Sequence, residues 1–154
     1  MEYKPRISVV MPSYNRAHTI QNAIRSVIDQ SFKDWELIVI DDGSTDGTKR
    51  IVEGFANPRI SFHRLEHTGN VSKVRNAGNK LAKADIIVVH DSDDQALPDR
   101  LDEIYKTFEE NPDADVVYHG MYNRYFDPYH NAISRLLKPA QPWSKERLLQ
   151  EQYI

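Results

Sequence analysis

Residues 7–11, Ile-Ser-Val-Val-Met, decide the fold, because this mostly apolar, partly β-branched run predicts a buried strand that Pro12 ends. A helix is predicted to follow, with Thr19 as its N-cap. Its apolar positions recur three and four residues apart, at Ile20, Ala23, Ile24, Val27 and Ile28. A strand followed by an amphipathic helix is the repeating unit of α/β domains.

The same alternation continues along the chain. Further strands are predicted near 35–40, 60–63, 86–90 and 115–119. Helices are predicted to open near 45–48, after Gly69 and with Pro98 in a first turn, and a last helix is predicted over 143–154. We therefore predict a single α/β domain over residues 1–154, with a mostly parallel central sheet and helices on both faces.

Composition excludes several classes of protein. A net charge of −3 is too acidic for a general nucleic-acid binder, which would carry a basic stripe. The chain has no cysteine, which excludes a disulfide scaffold and a thiolate metal site. Its apolar runs are too short for a signal peptide or a membrane span, so we expect a cytoplasmic protein, or one held peripherally at a membrane.

Polar side chains follow three of the predicted strands. The first strand is followed by Pro-Ser-Tyr-Asn at 12–15, the second by Asp-Asp-Gly-Ser at 41–44, and the fourth by Asp-Ser-Asp-Asp at 91–94. Parallel strands present their carboxyl ends at one edge of the sheet, where α/β proteins bind ligands. Arg75, in the first turns of a predicted helix, joins them there. We therefore expect a ligand site at this edge.

The segment 91–94 has two interpretations. Asp91 and Asp93 lie two residues apart, so an extended chain points both carboxylates to the same side. Oxygen ligands without histidine or cysteine suit Mg²⁺ or Mn²⁺, with substrate phosphates completing the coordination. The alternative is an acidic turn that caps the helix at Pro98, through Asp94 or a neighbour.

The other candidates also have structural alternatives. Asp41 and Asp42 stand in good turn chemistry, although a carboxylate there would also accept from a uracil N–H or from ribose hydroxyls. Tyr14 would either pack against the next helix or stack on a base. Arg75 would be a solvated charge, pair with the acidic residues or contact a diphosphate. His90 is interpreted most simply as a strand residue.

These residues resemble family 2 glycosyltransferases. Four blocks match in order between residue 6 and about residue 101: 7–16, 26–46, 69–78 and 91–98. The resemblance implies a GT-A fold, a Rossmann-like domain that binds a nucleoside-diphosphate sugar. It also implies metal-assisted transfer of the sugar, with inversion, to a hydroxyl group of a glycan, lipid-linked or protein acceptor.

The resemblance also assigns roles to the candidate residues. The residues implied in nucleotide binding are Pro12, Tyr14, Asn15, Asp41, Asp42, Arg75, Asp91 and Ser92. Asp42 is the first choice for the base, and UDP is the favoured carrier. Asp91-Ser92-Asp93 matches the DxD motif of the family, in which Asp93 would bind Mn²⁺ or Mg²⁺ directly, and Asp91 would bind it or contact the ribose or sugar.

The resemblance leaves the catalytic base unassigned. Residues 144–154 resemble the segment just before that base, so we expect the base beyond Ile154 and the acceptor region to be missing. Asp127 has the right chemistry, but its position does not match. Two other classes remain: a nucleotide-sugar-binding module without turnover, and a receiver-type signalling domain. The second is disfavoured because the first predicted strand ends in Pro-Ser-Tyr-Asn rather than in an acidic pair.

Overall fold

The structure is a computed structural model, which describes the backbone of residues 4–127 and 132–138 and the side chains of 4–121. The chain forms two compact units, Met1–Pro112 and Asp113–Ile154.

The first unit alternates strands and helices. Its elements are β1 (Ile7–Ser13), α1 (Ile20–Ile28), β2 (Trp35–Asp41), α2 (Thr48–Glu53), β3 (Ile60–Arg64), α3 (Val71–Asn79), β4 (Ile86–Val89) and α4 (Arg100–Glu110). The four strands form one sheet in the order β3-β2-β1-β4, and every pair is parallel. The predicted parallel α/β fold and its first four strands are confirmed.

Alternate residues of the central strands contribute to two separate hydrophobic cores, one on each face of the sheet. Ile7, Val9 and Met11 of β1 pack with apolar residues of α1, α2 and α4 on one face. On the other face, Ile38 and Ile40 of β2 pack against α3. Helix α3 lies close to the sheet because Gly78 has no Cβ, and one added there would meet Val10 Cγ1 at 2.4 Å.

Pro12 does not end β1, contrary to prediction. The strand continues to Ser13, with Pro12 opposite Ile40 of β2. The carbonyl of Val10 accepts from the His90 N–H beyond β4, so residue 12, two further on, turns its nitrogen to the same side. Pairing with β4 ends at Val10, so the proline breaks no ladder hydrogen bond.

The N-cap of α1 is the predicted residue, whereas the start of α4 differs from prediction. Thr19 occupies the N-cap of α1, but its side chain makes no capping hydrogen bond. Helix α4 begins at Arg100 with Asp99 as its N-cap, so Pro98 precedes the helix instead of lying in its first turn.

The second unit contains β5 (Met121–Asp127) and β6 (Ala132–Lys138), paired antiparallel with Met121 opposite Lys138. The strand predicted at 115–119 is wrong. The apolar run 116–118 has no strand partner in the described chain, whereas β5 has one in β6. The predicted helix over 143–154 lies outside the described residues.

None of the helices in the described ranges is long and apolar enough to cross a membrane.

Candidate functional site

The parallel sheet brings the predicted polar segments to one edge. Ser13 at the end of β1 lies opposite Asp41 at the end of β2, and Asp41 lies opposite Arg64 at the end of β3. On the other side of β1, pairing with β4 ends at Val10 and Val89, just before the acidic segment 91–94. We call the strand ends of β1, β2 and β4, with the loop after β3, the carboxyl edge.

Asp41 is fully buried and builds the turn after β2. Its carboxylate accepts from the backbone N–H of Ser44 at 2.9 Å and from the Ser44 hydroxyl group. Gly43 in the same turn has φ +78°, and an added Cβ there would lie 3.0 Å from the His67 nitrogen. The turn is thus fixed by a buried carboxylate and by a glycine. Any larger residue at this position would be strained by the positive φ and by the contact with His67.

Asp42 is also buried, with 5% of its surface exposed, and it anchors the loop that follows β3. The backbone N–H groups of Thr68 and Gly69 donate to its two carboxylate oxygens at 2.7 and 3.0 Å. Burial alone would raise the pKa of Asp42. The hydrogen bonds from Thr68 and Gly69 and the adjacent His67 ring outweigh burial and hold that pKa below its ordinary value. Asp42 is therefore an ionised acceptor in a fixed position.

Tyr14 and His67 form a stacked aromatic pair beside Asp42. Their ring centroids are 4.2 Å apart and their planes differ by 21°. His67 Nδ1 lies 2.8 Å from the Asp42 carbonyl oxygen and 3.1 Å from its carboxylate, so the ring orientation is fixed. Tyr14 keeps 42% of its surface exposed. The pair offers a planar aromatic surface next to a carboxylate acceptor.

Asn15 joins the loops after β1 and β2. Its backbone has φ 52°, and its N–H donates to the Ser44 hydroxyl oxygen at 2.8 Å. Its side-chain oxygen accepts from the Thr45 N–H, also at 2.8 Å. Before it, Pro12 and Ser13 are buried, and the Ser13 hydroxyl group has no hydrogen-bond partner. The predicted residues 12–15 thus shape the edge, although the backbone N–H and the side-chain oxygen of Asn15 are already hydrogen-bonded to the loop after β2.

Two arginines pair with the acidic segment after β4. One nitrogen of Arg75 donates to both carboxylate oxygens of Asp91, at 2.9 and 3.2 Å. A nitrogen of Arg16 lies 3.3 Å from the Asp93 carboxylate. Of the alternatives for Arg75, the structure therefore contains the pair with the acidic segment. Asp91 and Asp93 are about half exposed, whereas Ser92 between them is buried.

Negative charge is concentrated in this acidic segment. Burial raises the pKa of Asp94, and repulsion from Asp91 and Asp93 raises it further, against the attraction of Arg100. Within the described residues, no group of three histidine, aspartate or glutamate side chains is placed to hold a metal ion. The segment 91–94 does not cap α4 through a side chain, because the N-cap is Asp99.

His90 lies just beyond β4 and is buried between α1 and α4. Burial, and then the positive charge of Arg100, lowers its pKa to about 4, so the ring is neutral near pH 7. Its Nδ1 is 3.0 Å from an Arg100 nitrogen, which therefore donates to it, and its Nε2 is 3.4 Å from the Ser26 hydroxyl oxygen. The buried Gln30 side chain continues this network to Leu97 and Leu101. These contacts fix the chain on both sides of the acidic segment.

Sequence reasoning missed His67, the Thr68 and Gly69 amides, and Arg16. The loop after β3 contains no acidic pair, so its sequence did not indicate a ligand site. The rule that ligands bind at the carboxyl ends of parallel strands applies to β3 as well, and would have found it. Arg16 directly follows the Tyr14-Asn15 segment, but no local pattern reveals its contact with Asp93, 77 residues away.

A family model described as "Glycosyl transferase family 2" matches residues 8–152. Among similar proteins, the Escherichia coli UDP-Glc:alpha-D-GlcNAc-diphosphoundecaprenol beta-1,3-glucosyltransferase WfgD is 38% identical over 96 residues, or 62% of this chain and 38% of the relative. The chain spans about two fifths of the length of the first relatives that it matches.

Two solved structures share the fold. Staphylococcus aureus TarS 1-349 in complex with UDP-GlcNAc aligns with a TM-score of 0.67 and 31% identity, over 70% of this chain and 32% of that one. The mannosyltransferase PcManGT from Pyrobaculum calidifontis, in complex with GDP-Man and Mn²⁺, aligns with a TM-score of 0.64 and 26% identity, over 77% of this chain and 35% of that one.

Proposed function

The chain belongs to glycosyl transferase family 2 and has the GT-A fold, and from this we propose that it is the donor-binding part of a glycosyltransferase. The donor is a nucleoside-diphosphate sugar, and UDP is the proposed carrier. The sugar is transferred, with inversion, to an acceptor hydroxyl group. This proposal goes beyond family membership, because the chain spans only part of its relatives.

The observation that carries the proposal is the Tyr14–His67 pair beside Asp42. A nucleobase binds to an exposed aromatic face by stacking, and a fixed carboxylate accepts a hydrogen bond from a ring N–H. A uracil ring stacked on Tyr14 would present its N–H to Asp42. The names of WfgD and of the TarS complex contain UDP-Glc and UDP-GlcNAc, which supports uridine as the nucleoside.

The remaining predicted residues are proposed either to shape the site or to contact the ribose, sugar and diphosphate. Asn15 and Asp41 hold the loops around the nucleoside and Pro12 is buried near the end of β1, so their proposed contribution is to shape the site. Arg75 contacts Asp91 and is close enough to the acidic segment to donate to the diphosphate. The carboxylate of Asp91 and the hydroxyl group of Ser92 are the proposed ribose or sugar contacts.

A divalent ion, Mn²⁺ or Mg²⁺, fits the chemistry of the acidic segment. The available ligands are carboxylate oxygens, and a cation would offset the repulsion from Asp91 and Asp93 that adds to burial in raising the pKa of Asp94. Asp93 would hold the ion, with Asp91 as the second carboxylate. The ion would offset the negative charge that develops on the leaving diphosphate. The name of the PcManGT complex contains Mn²⁺, which supports a divalent ion in a protein of this fold.

The transfer needs one further group. As the acceptor oxygen bonds to the anomeric carbon, the bond from that carbon to the diphosphate oxygen breaks, and a carboxylate base takes the acceptor proton. We assign no described residue to this base. The name of WfgD contains a diphosphoundecaprenol, which supports a lipid-linked acceptor and an enzyme working peripherally at a membrane.

Calorimetry with UDP, GDP, CDP and TDP at fixed Mn²⁺ concentration tests the donor assignment. We expect UDP to bind most tightly, and a clear preference for GDP would refute uridine as the nucleoside. Incubation with UDP-sugars and candidate acceptors then separates an enzyme from a binding module. Sugar transfer by residues 1–154 alone would exclude a module without turnover.

A further inference from the structure

Arg16 connects the two ends of the carboxyl edge. It follows Tyr14 and Asn15, which lie at the proposed nucleoside end, and its guanidinium group lies 3.3 Å from Asp93, in the acidic segment. This ion pair joins the β1–α1 loop to the acidic segment. Its position is thus between the parts of the edge proposed to hold the base and the diphosphate.

The backbone of Arg16 is fixed, whereas its side chain is accessible. Its N–H donates to the Thr48 hydroxyl oxygen at 2.9 Å, and its carbonyl accepts from Thr19 and Ile20 at the start of α1. The side chain is 40% exposed. A guanidinium group on a fixed backbone can exchange partners by changing rotamers, without moving the loop.

The pair with Asp93 is of a kind that is readily exchanged. Both side chains are substantially exposed, and ion pairs in water are weak because solvent screens the charges. A diphosphate offers a guanidinium group several oxygen acceptors and a higher charge than one carboxylate. A metal ion and Arg16 would, moreover, compete for the same Asp93 oxygens.

We propose that Arg16 is a further donor-binding residue, which exchanges its pair with Asp93 for the diphosphate when the donor binds. Release of Asp93 then makes that carboxylate available for the metal ion, so the exchange couples nucleotide binding to metal binding. This inference rests on the proposed function, because it assumes that a nucleoside diphosphate is the ligand.

The variant Arg16→Gln tests the exchange, with two ligands and Mn²⁺ as probes. Without nucleotide, it should bind Mn²⁺ about two- to five-fold more tightly, because a competing cation is gone. This is measured by electron paramagnetic resonance of the free ion. With saturating Mn²⁺, it should bind UDP about ten-fold more weakly, measured by calorimetry. Binding of uridine, which has no phosphate, should not change.

The matched control is Lys4→Gln. Lys4 forms an exposed ion pair with Asp85 at 3.0 Å, at the opposite edge of the same sheet, so its loss changes the net charge equally. This variant should match the parent chain in all three titrations. If Arg16→Gln matches the parent, or weakens uridine and UDP equally, the inference is overturned. If the parent binds uridine and UDP not at all, the proposed function fails, and this inference fails with it.

Discussion

The two ends of the carboxyl edge both contain neighbouring carboxylates, but the negative charge is stabilised in different ways at the two ends. Asp41 and Asp42, at the end of β2, are buried and accept hydrogen bonds from Ser44, Thr68 and Gly69. Asp91 and Asp93, after β4, are about half exposed and pair with arginine side chains. The negative charge of the first pair is stabilised by hydrogen bonds from neutral groups in fixed loops. The negative charge of the second pair is balanced by arginine side chains, which are long and can move.

We call the end with Asp41 and Asp42 the prebuilt end, because its structure is held by hydrogen bonds within the protein. The arrangement of side chains at the other end depends on the ligands that bind there. The carboxylates after β2 help to hold the loops together, so they contribute to folding whether or not a donor is bound. The carboxylates after β4 are close together in the chain, and burial, with added repulsion from Asp91 and Asp93, raises the pKa of Asp94. We therefore expect substitution of Asp41 or Asp42 to reduce stability, and substitution of Asp91 or Asp93 to change binding.

The largest expected effect is that of Asp41→Ala on stability. The substitution leaves the buried N–H and hydroxyl groups of Ser44 without an acceptor, which should lower the free energy of unfolding by about 2–4 kcal/mol. Urea denaturation measures the change. The exposed Asp85 is the control, and Asp85→Ala should change the free energy by less than about 0.5 kcal/mol. Equal stabilities for the two variants would contradict a prebuilt end.

The next effect is that of Tyr14→Ala on nucleoside binding. Loss of the stacking surface should weaken both uridine and UDP by about 1–3 kcal/mol, because stacking does not involve the phosphates. Calorimetry at a constant Mn²⁺ concentration measures both affinities. Tyr14→Phe retains the ring and should bind nearly as the parent does. A Tyr14→Ala variant with parent-like uridine affinity would remove Tyr14 from the site.

Asp93→Ala should affect the coupling between metal and nucleotide, and not the fold. In the parent, Mn²⁺ and UDP should each tighten the other by the same factor, as thermodynamic linkage requires. The variant should lose that mutual effect, while its free energy of unfolding stays within about 0.5 kcal/mol of the parent's. UDP titrations with and without Mn²⁺ provide the test. A variant with unchanged manganese dependence would show that the metal assignment is wrong.

The smallest expected effect is a pH dependence of stability due to Asp42. Its pKa is lowered in the folded protein, so its contribution is complete above the unfolded value, near 3.8, and is lost as the pH falls through the folded value. The parent should therefore lose stability, relative to Asp42→Asn, below about pH 4. Urea denaturation from pH 3 to 7 measures the difference, with Asp85→Asn as control. A constant difference across this range would contradict the lowered pKa.

The sequence predicted the first unit well, because local pattern and topology agree there. Strands β1 to β4 are apolar runs separated by helical periodicity, and the parallel arrangement follows from that alternation. The convergence of residues 12–15, 41–44 and 91–94 then follows from the sheet itself. Local pattern failed where pairing with another segment determines the strand: the apolar run 116–118 predicts a strand, but the strand that forms is β5, further on, which pairs with β6.

The composition of the candidate site was predictable, but its pairing was not. Acidic residues after β2 and β4 are visible in the sequence. Whether each is buried against backbone amides or exposed and paired with arginine depends on contacts across the fold. The amides that hold Asp42 come from residues 26 and 27 positions away, and Arg16 reaches Asp93 from another loop. Pro12 shows the same limit, since its effect on β1 depends on where β4 stops pairing.

The most direct test of the contrast between the two ends is calorimetry of uridine and UDP on the parent chain, each with and without Mn²⁺. Uridine has no diphosphate to complete the coordination of the ion, so its affinity should be the same in both conditions. UDP brings diphosphate oxygens to the acidic segment, so Mn²⁺ should tighten its binding. Equal responses of uridine and UDP to Mn²⁺, or no response of UDP, would contradict the account.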